Sequence, residues 1–160
     1  MKLAPRSVDG KSNMKRIGNL WQYISSYQNV FLAYRNARRG KLSRPTLAEF
    51  IFNLEFELEQ LHNELANLTW QPGIYRQFTI YEHKKRTISA APFRDRVVHH
   101  AIMQVIEPHL DKRMIDDTYA CRKGKGVHAA ITRYQRWAQQ NAYVLKLDIR
   151  QYFPSIDHDI

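Results

Sequence analysis

A chain of 160 residues, 44% apolar and 12% aromatic, can close one modest domain around a core and is too hydrophobic for a disordered polyelectrolyte. Twenty-five Lys and Arg against fifteen Asp and Glu leave a formal charge of +10, which favours a polyanionic partner, nucleic acid first and an anionic membrane surface second. The one cysteine, Cys121, excludes an intrachain disulfide and a four-cysteine zinc site, so a reducing, cytoplasmic compartment is expected. No run approaches the ~18 apolar residues of a membrane span, and residues 1–13 lack the apolar centre of a signal peptide.

Charge is unevenly spread. Residues 1–45 carry ten basic side chains and one acid, residues 46–82 one basic and six acids, and residues 83–160 fourteen basic and eight acids. Two basic blocks flank an acidic one, so the acidic stretch is expected to pack or solvate while the basic blocks face a polyanion.

Residues 1–13 read as a flexible leader. From Ile17 to Arg39, Ile17, Leu20, Trp21, Ile24, Tyr27, Phe31 and Tyr34 recur at helical spacing and predict one amphipathic helix that Gly40 stops. Leu47, Leu54, Leu61 and Leu68 stand seven apart with Ile51, Leu58 and Leu65 interleaved, which predicts a second helix, packing in a core or on a partner. Trp70-Gln-Pro-Gly73 is a turn signal. The β-favouring residues Tyr75, Phe78, Ile80 and Tyr81 then predict a hairpin with His83, Lys84 and Lys85 at its tip and Arg86–Ala90 as its return strand. Val97, Val98, Ala101, Ile102, Val105 and Ile106 mark a helix that Pro108 should kink or end. Gly124 and Gly126 precede a further helical run, Val127, Ala130, Ile131, Tyr134 and Trp137, and the alternation from Tyr143 to Ile149 predicts a strand.

Asp148 closes that strand on its less apolar face, where a carboxylate can be held for a hard cation or can simply stay wet at a turn. Asp157, His158 and Asp159 offer metal-ligand chemistry, but Ser155 and Asp157 fit better as caps of a following helix. His99 and His100 adjoin on a helix and diverge, so they are expected to pack or hydrogen-bond rather than chelate. Cys121 has basic neighbours but no local base or resolving thiol.

The run Leu145-Lys-Leu-Asp-Ile-Arg-Gln-Tyr-Phe-Pro-Ser-Ile-Asp-His158 resembles the first palm carboxylate motif of bacterial reverse transcriptases, the class of group II intron, retron and diversity-generating enzymes. Three upstream segments resemble that class's fingers motifs in the same order: Arg86-Thr-Ile-Ser-Ala-Ala-Pro92, Arg94-Asp-Arg-Val-Val-His-His100 and Tyr119-Ala-Cys-Arg-Lys-Gly-Lys-Gly126. The resemblance covers roughly residues 75–158. It implies an α+β fold: an N-terminal helical region over 14–70, a fingers region over 71–140 with a hairpin and packed helices, and over 141–160 the first strand of an incomplete polymerase palm. Asp148 is then the catalytic and metal-binding carboxylate, and the backbone carbonyl of Ile149 a second ligand for Mg²⁺ or Mn²⁺. Phe153 matches the aromatic sugar gate, and its neighbours Gln151 and Tyr152 fall in the nucleotide-binding stretch; read from spacing alone, Phe153 is an ordinary core ring. Arg86 matches the arginine that reaches the incoming triphosphate, with Lys84 or Lys85 as a second cation or as a solvated turn. Arg122, Lys123 and Lys125 would grip nucleic-acid phosphates or, on the plainer reading, line a glycine turn.

The partners implied are an RNA template, a DNA or RNA primer and deoxynucleoside triphosphates. The resemblance also leaves room for an accessory protein and implies no membrane. The family's second palm motif, Tyr-x-Asp-Asp, does not occur: the only adjacent aspartates, Asp116 and Asp117, lack the tyrosine and lie upstream of Asp148. This chain is therefore expected to be an N-terminal fragment, inactive alone, of a retroelement RNA-directed DNA polymerase. The competing expectation is a non-catalytic RNA-binding or assembly module that docks a partner through the heptad helix.

Overall fold

A computed structural model describes residues 16–41, 45–81, 84–150, 152 and 155–157. The fold is α+β, with six helices and one two-stranded antiparallel sheet among the described residues. The chain divides into two compact units, residues 1–112 and 113–160, and the boundary falls inside the stretch expected to form one fingers region.

In the first unit, the helix expected over 17–39 is two helices, α1 (Leu20–Ile24) and α2 (Tyr27–Ala37). Ser26 causes the break: its backbone is non-helical, and its hydroxyl accepts the Asn29 N–H at 3.4 Å, the N-cap role for which serine is favoured. Gly40 ends the segment as expected, in the left-handed region at φ 67°. The heptad stretch also divides, into α3 (Pro45–Phe52) and α4 (Leu54–Ala66), at Asn53, whose ψ of 30° leaves the helical range. Leu47, Leu58, Leu61 and Leu65 are buried, as the spacing requires. Leu68 is an exception: it sits past the helix end at φ 58° and points to solvent, and it cannot extend the apolar stripe.

The hairpin forms, with β1 (Arg76–Tyr81) antiparallel to β2 (Lys85–Ala90). Lys85 is not at the tip as expected; it pairs with Tyr81 and begins the return strand. The last helix of this unit, α5 (Phe93–Asp111), runs through Pro108 rather than ending there. Proline removes one N–H and so one bond of the helical ladder, and the turns already formed on either side carry the helix across.

α5 packs against α1, α2 and α3. Its residues Phe93, Val97, Val98 and Ala101 join Val30, Ala33, Tyr34, Leu47, Phe50, Leu58, Leu61 and Leu65 in one core. Phe50 meets the Phe93 ring edge-on at 5.0 Å and stacks on Tyr34 at 5.8 Å. Polar side chains fix the same packing. Asn29 donates its amide to the Ala101 carbonyl at 2.9 Å and accepts from Gln104, which in turn accepts from Asn36. Arg94 at the start of α5 bonds Glu57 and Glu64 of α4 at 3.1 and 2.9 Å. Asp95 is buried and accepts the Gly73 N–H at 2.9 Å; a side chain at Gly73 would meet Pro92 Cγ at 3.0 Å, which is why that turn takes glycine.

The second unit contains α6 (Val127–Ala138), which begins after Gly124 and Gly126 as the sequence predicts, both at positive φ. The strand expected over 143–149 is not formed. A strand is defined by a ladder, and among the described residues of this unit no second strand exists to supply one. Leu145 and Leu147 are each 81% exposed. Nor does Ser155 cap a helix among the described residues: its hydroxyl donates to the Tyr152 carbonyl at 2.8 Å, closing a turn instead.

Candidate functional site

The residues assigned by resemblance lie in both units. In the first, the pleat of the hairpin sorts its cations. Alternation puts Arg86, Ile88 and Ala90 of β2 on one face with their partners Ile80, Phe78 and Arg76 of β1, and Lys85, Thr87 and Ser89 on the other. Ile80, Ile88 and Ala90 are the half-buried members, so Arg86 belongs to the face that packs. Lys85 belongs to the opposite face, and a triphosphate held by Arg86 from one side would not meet Lys85 from the same side. Lys84 lies in the bend ahead of the strand; all three cations are exposed, and Arg86 forms no ion pair among the described residues.

The packed face continues into a cleft of about 630 Å³, lined by Ile74, Arg76, Phe78, Pro92, Phe93 and Arg96 among others. That volume is within the range of small-molecule sites, roughly 300–1,000 Å³. Arg76 lies over the Phe78 ring at 6.0 Å, and Arg96 donates from Nε to the Ala91 carbonyl at 3.0 Å. Sequence reasoning passed over Arg76 and Arg96. The signal available for Arg76 was its alternation with Phe78, which places a cation and a ring on one face of a strand.

In the second unit the glycine-rich segment is tied to its own loop. Arg122 donates from Nη1 to the carbonyls of Ile115 and Thr118 at 2.9 and 3.3 Å. Lys125 pairs with Asp116 at 2.9 Å, donates to the carbonyl of the same residue, and stands 5.2 Å over the Tyr119 ring. Arg133 of α6 bonds Asp117 at 2.9 Å and lies 4.7 Å over Trp137. The Arg133 guanidinium, with help from the Tyr119 hydroxyl, holds the Asp117 carboxyl below the usual carboxylate range. Burial and the same carboxylate push the Tyr119 phenol up. Two of the three cations expected to grip phosphates thus have internal partners, while Lys123 is exposed. Asp116 and Asp117, set aside as metal ligands on sequence grounds, anchor Lys125 and Arg133 respectively.

Asp148 and Ile149 are exposed in an irregular segment, and Tyr152 is exposed while its carbonyl accepts from Ser155. Gln151, Phe153, His158 and His83 lie outside the described residues. One carboxylate and one carbonyl are the right oxygen chemistry for a hard cation, but they are too few donors for a pair of ions, and among the described residues no three His, Cys, Asp or Glu side chains converge. His99 is exposed and His100 half-buried; burial, then Lys41 and His99, hold the His100 imidazole below its ordinary pKa. No helix among the described residues is long and apolar enough to cross a membrane. No family model matches the sequence, and no curated protein matches it either.

Proposed function

We propose that this chain carries the fingers and the first palm carboxylate of a cytoplasmic RNA-directed DNA polymerase of the bacterial retroelement type. The observation that carries the reading is the ordered set of four segments, Arg86–Pro92, Arg94–His100, Tyr119–Gly126 and Leu145–His158. One structural feature and the composition support it. The first segment is the return strand of an antiparallel hairpin with Arg86 exposed on it, and a +10 chain suits RNA and nucleoside triphosphates. In this reading Arg86 takes triphosphate oxygens as a planar, permanently charged fork, Phe153 excludes a ribose 2′-hydroxyl, and Asp148 with the Ile149 carbonyl holds Mg²⁺ or Mn²⁺. Further carboxylates are needed for two-metal transfer of a deoxynucleotide to a primer, so the 160 residues alone are expected to be inactive.

The test is primer extension on an RNA template with the product of the complete reading frame. Asp148→Asn should cut incorporation by more than about a hundredfold, since even residues that only orient a metal ligand cost ten- to a hundredfold. Incorporation at the parent rate would overturn the reading. Phe153→Ala should admit ribonucleotides, and Arg86→Ala should raise the triphosphate concentration needed for half rate.

A second reading, a non-catalytic RNA-binding or assembly module, is favoured by Phe52 and Phe56. These rings, four residues apart across the α3–α4 break, are 88% and 67% exposed and have Glu55 and Glu59 beside them, as a docking face would. RNA binding without extension by the complete protein would select it.

A further inference from the structure

We infer that the exposed face of α2 and its closing turn, formed by Tyr27, Phe31, Arg35 and Arg39, is a track for single-stranded RNA, the two rings stacking bases and the two guanidiniums taking backbone phosphates. The inference rests on the reading that RNA is the partner and adds a site that neither the resemblance nor the glycine-rich loop contains. These four residues follow one another at steps of four, each step advancing about 6 Å along the helix. Val30, Ala33, Tyr34 and Ala37 form the buried face, Tyr27 and Phe31 stand at its margin, and Arg35 and Arg39 lie farther round toward solvent. A core-packing helix ordinarily turns small or charged groups outward; this one exposes two large rings at 40% each, directly before two arginines.

The rings are held. Tyr27 meets His62 edge-on at 6.1 Å, and Phe31 tilts against Tyr34 at 6.3 Å, so each is fixed on one side and open on the other. A ring immobilised before binding loses little entropy when a base stacks on it, and stacking is tolerant of sequence because every base has a flat face. The charge is of one sign. No Asp or Glu occurs between Asp9 and Glu49, and Arg35 and Arg39 form no ion pair among the described residues. Beside them Arg38 lies 5.2 Å over the Tyr34 ring and donates to its hydroxyl at 3.2 Å, and Lys41 donates to the Ala37 carbonyl at 3.0 Å. Two cations are thus tethered and two are open to phosphate. Open rings followed by cations without ion pairs among the described residues are a composition that suits single strands, whereas a partner protein of ordinary surface would meet uncompensated positive charge.

The test is anisotropy of a fluorescein-labelled, unstructured RNA of about fifteen nucleotides titrated with the 160-residue chain between about 50 and 200 mM salt. The Arg35→Gln/Arg39→Gln double variant should bind more weakly, with the slope of log affinity against log salt shallower by about 1.4, or ~0.7 for each phosphate no longer neutralised. Tyr27→Leu/Phe31→Leu should lose about thirtyfold or more in affinity, at least about fivefold for each ring, with the slope unchanged, because leucine keeps the apolar bulk and removes the flat face. Equal thermal midpoints certify the folds. Should the ring variant unfold, the single Arg35→Gln change, at a solvent-facing position, carries the test through its slope change of about 0.7. If the parent binds RNA and the arginine variants keep its affinity and slope, the track is overturned while RNA remains the partner. A parent that ignores RNA overturns the track and the RNA reading together. Ring-dependent binding to phosphatidylserine vesicles, without RNA binding, overturns both in favour of a membrane surface.

Discussion

At the scale of single residues, the structure turns several motif positions into fasteners. Arg94 opens one of the segments that resemble a fingers motif, yet its guanidinium is spent on Glu57 and Glu64, one turn of α5 pinned to two turns of α4. Burial pulls its pKa down, and the two carboxylates outweigh that, leaving it above its ordinary value. With each side chain about one-quarter exposed, Arg94→Ala should cost ~1–3 kcal/mol in urea unfolding, below the loss expected for a fully buried pair, because two partly desolvated carboxylates are left facing each other. Removing Glu57 and Glu64 together with Arg94 should recover part of it. His100 makes a second prediction. Its folded pKa lies below the unfolded value near 6.5, so the unfolded chain takes up the proton first as pH falls. The stability associated with neutral His100 is complete above about pH 6.5 and is lost as pH drops through the lowered folded value. The thermal midpoint should therefore fall between about pH 7 and pH 5, and His100→Gln should flatten that fall. Asp117 has the same sign in a lower window, present above about pH 3.8 and lost below it, so the two are separable by titration.

At the scale of elements, the buried faces were legible and the breaks were not. Leu47, Leu58, Leu61 and Leu65 are buried as their spacing requires, because period-3.6 apolarity says which side of a helix leaves water. It does not say that the backbone continues. Ser26 and Asn53 are tolerable inside a helix and favourable at its ends, and which role they take depends on the tertiary contacts of the flanking turns, as where Phe50, ahead of Asn53, packs on Tyr34 and Phe93. If Ser26 is the cause of the first break, Ser26→Ala should cost about 0.5–1 kcal/mol through the lost cap without changing α2's buried face, as read by urea unfolding. Pro108, expected to kink or end its helix, does not end it, for a related reason, since a proline late in a long packed helix costs ladder bonds that existing turns can bear. The segment 143–149 failed the other way. Alternation fits a strand, but pairing is a property of two segments, and one segment's sequence holds only half of it.

At the scale of the whole molecule, the charge total overstates what is available to a polyanion. Composition gave +10, which left open which cations are free; the structure commits Arg94, Arg122, Lys125 and Arg133 to internal partners and leaves Arg35, Arg39 and Arg86 without ion pairs among the described residues. On the hairpin the strand position of Arg86 was legible because two alternating runs fix a register, while the extent of the tip, and so the place of Lys85, was not; nor was the internal use of Arg122 and Lys125, since their acceptors are carbonyls and a carboxylate brought back by the fold of the 113–126 loop. The two lysines that flank Gly124 should consequently behave differently. Lys123→Gln, at an exposed position, should shallow the salt dependence of RNA binding by about 0.7 and leave the thermal midpoint alone. Lys125→Gln should leave that slope near the parent value and instead speed protease cleavage within residues 113–126, where its bonds to Asp116 and its place over Tyr119 hold the loop. Equal shallowing by both changes would return Lys125 to the phosphate-binding set, because counterion release counts only cations that reach phosphate and is blind to those already neutralised within the fold.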